Sequence, residues 1–126
     1  MVESLTAKSS VLSSQLQEIT VDQLEALAIG AGILGTGGGG NPYLGKIFTR
    51  GLLAGGGSVP VVALVDVPDD AVVVSVGGIG APVVGVERLK EGSEFLRAMR
   101  ALEHHTGKTA THMIAAEIGG GNSLAP

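Results

Sequence analysis

A chain of 126 residues is long enough for one domain with a buried core but short for a complete enzyme. Its net charge of −4 argues against the basic face that nucleic acid or an anionic membrane would require, and the absence of cysteine excludes disulfides and thiol chemistry. With 21 glycines, no Trp, one Tyr and two Phe, the core must be built from Val, Leu, Ile and Ala, and the charge-poor surface points to apolar area meant for another domain or subunit.

Residues 1–18 are Ser-rich and carry Glu3, Lys8 and Glu18 without an apolar core, so they read as a flexible segment and not as a signal peptide. Residues 19–126 read as one α/β domain. Thr20 and Gln23 have the spacing of a capping box, and Leu24, Leu27, Ala28 and Ala31 recur at helical spacing behind it. A first helix is expected over 21–34. A second should run over 42–54, with Leu44, Ile47, Phe48 and Leu52 on its inner side and Gly55-Gly56-Gly57 as its stop.

Between the two lies Gly35-Thr36-Gly37-Gly38-Gly39-Gly40-Asn41-Pro42. Glycine is spent this densely where a chain turns sharply or lets something approach its backbone, and Gly38 and Gly39 are expected to need positive φ. Asn41 suits an N-cap and Pro42 the first helical position, so the loop should offer backbone N–H groups to an electron-rich ligand at a helix N-terminus. Gly35, Gly37 and Gly40 match the dinucleotide fingerprint, but a helix precedes them where a strand is needed, and Pro60 stands where the ribose-binding acid should be. A tight helix–helix connection and a different small-ligand site both remain open.

Residues 59–65 and 71–77 are nearly continuous apolar runs, as strands covered on both faces are. The link Asp66 to Asp70 is too short for a parallel crossover, so the two are expected to pair antiparallel. Gly77-Gly78-Ile79-Gly80 forms a second glycine loop, and Val83 to Leu89 reads as a short strand or extended connection. The uncharged run from Ala71 to Val86 is broken by Gly77, Gly78, Gly80 and Pro82, so it is not a membrane span, and cytoplasm is the default compartment. A third helix is expected over 93–105, ending at Gly107, and a strand over 111–116. Glu117 to Ser123 makes the third glycine loop, with Asn122 as the cap of a further helix, so the α/β architecture of mixed sheet and packed helices reads as incomplete at its C-terminal end.

Three glycine loops at element ends suit a small-molecule site, or simply close packing of turns. Glu117 has the chemistry of a general acid or base or of a metal ligand, against the plainer reading of a solvated carboxylate at a strand end. Asn122 has the groups to orient a ligand carbonyl, or to cap a helix. His104 and His105 are adjacent on a helix and point about 100° apart, which rules out a shared metal of the i, i+4 kind. His112 and Glu117 should face opposite sides of a regular strand. Glu94 and Arg97 have the spacing of a surface ion pair.

Taken in order, Ile19 to Ala31, Ile33 through the glycine loop to Tyr43, Gly80-Ala81-Pro82, Glu87, and Glu117-Ile118-Gly119-Gly120 with Asn122-Ser123 resemble the N-terminal domain of the S-methyl-thiohydantoin desulfurase-like proteins. That family has been described as a domain of unknown function associated with hydantoinases and oxoprolinases. The resemblance covers residues 19–126. It implies an α/β domain that acts with a C-terminal domain or partner chain on a sulfur-bearing hydantoin-like ring, with a divalent metal as one option for its cofactor. It has the three glycine loops line that site together with Thr36, Asn41, Glu117 and Asn122, of which Glu117 and Asn122 are the expected catalytic residues. It assigns Thr36, Gly37, Gly38, Gly39, Gly40, Asn41, Gly80, Gly119 and Gly120 to ligand binding. Two departures stand out. Gly121 replaces a bulkier residue, and the chain stops where members continue, so it is expected to be inactive alone and to oligomerise. The competing expectation is a non-catalytic truncated or interaction module that retains only the fold core.

Overall fold

The computed structural model describes residues 18–88 and 91–126. Expectations for residues 1–17 lie outside the described residues. Strand β1 (Glu18–Ile19) leads into a 3-10 turn, Val21–Gln23, and helix α1 (Leu24–Gly35). The entry is capped from within, because Thr20 N–H donates to Gln23 Oε1 at 2.8 Å. Helix α1 buries Leu24, Ala28 and Ala31, the stripe that the helical spacing predicts.

Helix α2 (Pro42–Leu53) starts as expected, with Asn41 Oδ1 accepting from Tyr43 N–H at 2.9 Å and proline in the first turn. Its inner side is different from the expected one. Leu53 is 6% exposed while Leu52 is 83% exposed, and Leu44, Ile47 and Phe48 are all more than a third exposed. The stripe facing α1 and the end of the chain runs instead through Gly45, Lys46, Thr49 and Leu53, because glycine at 45 lets Leu124 sit against the helix backbone. Lys46 Nζ also reaches Glu25 Oε2 on α1 at 2.9 Å.

The run 59–65 is not a long strand. Only β2 (Val59–Pro60) is extended and paired; it lies antiparallel to β1, with Glu18 opposite Pro60 and Ile19 opposite Val59. Pro60 removes a ladder donor, and the chain turns into a 3-10 segment at Leu64–Asp66. Strand β3 (Val73–Val76) does not pair with it. Its partner is β4 (His112–Ala115), and the pairing is parallel, with Val73 opposite His112 and Val76 opposite Ala115. The intervening residues 77–111 supply the long crossover that parallel strands require. The α/β expectation is met, with the strands divided between an antiparallel and a parallel pair.

The crossover holds two helices, α3 (Pro82–Glu87) and α4 (Glu94–Thr106). The first replaces the expected strand or extended connection over 83–87, since proline at the helix start presets the first turn, and the end of that expectation at Leu89 lies outside the described residues. Helix α4 ends at Gly107, whose φ of 67° forms the left-handed cap. Glu94 does not pair with Arg97. Its carboxylate takes the N–H groups of Glu91 and Gly92, and Arg97 meets Glu91 at 2.6 Å. No helix among the described residues is long and apolar enough to cross a membrane.

Candidate functional site

The first glycine loop closes on the third. Gly120 N–H donates to the Ala31 carbonyl of α1 at 2.7 Å, Gly121 N–H to Gly40 O at 2.9 Å and Asn122 N–H to Gly39 O at 2.9 Å. This approach is why side chains are missing. A Cβ on Gly35 would stand 2.6 Å from Gly120 N, and one on Gly39 would stand 2.6 Å from Gly119 O and 2.8 Å from Glu117 Oε2. A Cβ on Gly119 or Gly120 would likewise run into the backbone of the first loop. The close partner of these glycines is therefore backbone of the same chain. The carbonyls of the first loop at 39 and 40 accept from the third loop.

Several of the loop's glycines also serve the path of the chain. Gly37, Gly39 and Gly40 have φ of 93°, 72° and 83°, whereas Gly38 does not need positive φ, contrary to expectation. Thr36 is the exception, a β-branched residue held at φ 46° as the C-cap of α1. A left-handed non-glycine residue costs about 1–2 kcal/mol, so the surrounding closure imposes it. Asn41 is occupied by capping. Cβ atoms on Gly37, Gly40 or Gly80 would meet nothing.

Asn122 is not a helix cap. Gly120 occupies that position before the 3-10 turn Gly121–Leu124, and Asn122 sits within the turn, 8% exposed. Its Oδ1 accepts from Gly78 N–H at 2.8 Å, and Nδ2 donates to Gly78 O at 2.9 Å and to Glu117 Oε1 at 2.8 Å. One buried amide thus joins the second glycine loop to the third, and the third is closed on the first. Gly78, and not the expected Gly80, is the residue of the second loop that reaches the junction. Its place two residues beyond the end of β3 was the available signal.

Glu117 lies past the end of β4, so the alternation argument linking it to His112 does not apply. His112 Nδ1 instead meets the Thr111 hydroxyl at 2.9 Å. Glu117 also borders an open groove of about 530 Å³ between α1 and the end of the chain, lined by Leu27, Leu34, Ile118 and Leu124, with Gln23 and Ser123 as further polar members. Among the described residues no three of His, Asp and Glu gather as a metal would require, so a divalent metal does not fit the residues described.

The family model for the S-Me-THD-like N-terminal domain matches residues 22–126. The chain belongs to this family. Comparison with curated proteins and with solved structures finds no match.

Proposed function

We propose that this S-Me-THD-like domain is the ligand-binding N-terminal part of a protein acting on a hydantoin or thiohydantoin ring, with a second domain or partner chain completing the chemistry. The observation that carries the reading is the junction at Asn122, where three glycine segments meet beside one carboxylate at the rim of a groove. Glu117 is the group suited to accept a proton from the ring or from an attacking water. The glycine loops give it a rigid surround, and the apolar groove walls suit a small flat ring.

Calorimetric titration of the full chain with hydantoin and 2-thiohydantoin tests this. Binding is expected for the wild type and at least tenfold weaker binding for Glu117→Gln, with a melting temperature close to that of the wild type. No binding, or binding indifferent to Glu117→Gln, would refute the assignment.

A second reading is an interaction module, favoured by the outward apolar stripe of α2 (Leu44, Ile47, Phe48 and Leu52) and by the fully exposed Ile79. It predicts self-association or capture of a partner domain. A compact monomer in sedimentation velocity at high concentration would count against it.

A further inference from the structure

Both Nδ2 protons of Asn122 are committed, one to Gly78 O and one to Glu117 Oε1, and Oδ1 receives Gly78 N–H. The amide has a single workable orientation. Turned by 180°, it would set NH2 against the Gly78 N–H and its oxygen against both a carbonyl and a carboxylate. Asn122 is also 8% exposed, so it has neither a free donor nor an open face for a ligand. Glu117 differs, being exposed, and no donor among the described residues meets its Oε2, which lies beside Gly39.

We propose that Asn122 is a positioning residue that does not touch the ligand: anchored on Gly78, it fixes Glu117 so that Oε2 alone is offered, and the ligand must therefore bring an N–H donor to it. The proposal rests on the small-molecule reading above and narrows it. A neutral ring with an unsubstituted amide or thioamide N–H fits. An anion does not, because the offered group is itself an acceptor carrying negative charge.

The positioning role is tested by reversing donor and acceptor. Asn122→Asp keeps the acceptor for Gly78 N–H but removes the donor and sets two carboxylates face to face. Glu117→Gln added to it restores a donor–acceptor pair with the roles exchanged. In thermal denaturation of the full chain, the double variant should recover at least half of the melting-temperature loss of Asn122→Asp. A double variant no more stable than Asn122→Asp would overturn the coupling.

If Asn122→Asp does not fold, Glu117→Ala decides the direction of support. Gly78 amide exchange should then stay within about twofold of wild type, because Asn122 keeps its anchor. Exchange more than tenfold faster would mean that Glu117 holds Asn122, and would overturn the assignment.

The donor requirement is read separately, with hydantoin and 1,3-dimethylhydantoin as probes. Hydantoin should bind at least tenfold tighter, and Glu117→Gln should erase that preference. Equal binding of both probes would refute the donor requirement. A wild type that binds neither would refute the small-molecule reading and the donor requirement with it, while the stability rescue would still decide the positioning role.

Discussion

The helical side of the molecule and its sheet side are held together by different means. Between α1, α2 and the terminal 3-10 turn, backbone lies against backbone, and the glycines at 35, 39, 119 and 120 have no room for a Cβ. Around β3 and β4 the packing is thinner. Val74 and Val76 are buried, but Val73, Met113 and Ile114 are about half exposed, and α4 buries no residue fully. Two-stranded parallel sheets ordinarily lie under cover on both faces, so this side has apolar surface to spare. The chain thus places its tightest and least forgiving contacts at the loop junction and not in an aliphatic core.

The largest expected effect separates glycines of the two kinds. Gly119→Ala drives a Cβ into the backbone of Leu34 and Gly35, neither of which is a flexible side-chain end, and should cost at least about 3 kcal/mol or prevent folding. Gly80→Ala, in open space and without positive φ, should stay within about 0.5 kcal/mol of wild type. Urea denaturation of both variants makes the measurement. Equal stabilities would break the distinction between closed and open loops.

Acid should affect the two sides unequally, and more gently. Glu103 is held below the usual carboxylate range by the Ala110 N–H, then by the Arg100 guanidinium, and it ties α4 to the approach to β4. Glu94 is likewise lowered by N–H groups of its own residue, Glu91 and Gly92 at the start of α4. A carboxylate lowered in the folded state adds stability that is present above its unfolded value of about 4.3 and is lost as pH falls through the lower folded value. The melting temperature should therefore fall in that acid window, and Glu103→Gln should lower it near neutral pH while flattening its fall in acid. The loop junction closes largely through backbone hydrogen bonds, so its amides should open later than those of α4. An unchanged pH profile in Glu103→Gln would remove the sheet-side assignment.

What was legible in the sequence was local. The Thr20–Gln23 box, the Asn41-Pro42 start and the Gly107 stop each depend on residues within one turn of chain, and each stands where the pattern places it. Pairing was not legible. The short Asp66–Asp70 link suggested a hairpin, while β3 waits for a strand some forty residues on, a choice set by the packing of the whole crossover. The inner stripe of α2 departs from the hydrophobic pattern for a related reason. Hydrophobicity marks Leu44 and Leu52, but close approach favours Gly45 and Thr49. At the candidate site Glu117 and Asn122 were legible as polar residues beside glycines, whereas Gly78 was invisible until the fold brought it 44 positions back onto Asn122.

One buried amide and the two loop closures around it meet at a single junction, which is expected to open as one cooperative unit. Amide hydrogen exchange followed by NMR tests it most directly. The N–H groups of Gly78, Gly120, Gly121 and Asn122 should be protected together, should exchange far more slowly than that of Gly80, and should all speed up by a similar factor in Asn122→Ala. A Gly78 amide that exchanges like Gly80 in the wild type, or an Asn122→Ala variant in which Gly120 and Gly121 keep full protection, would contradict it.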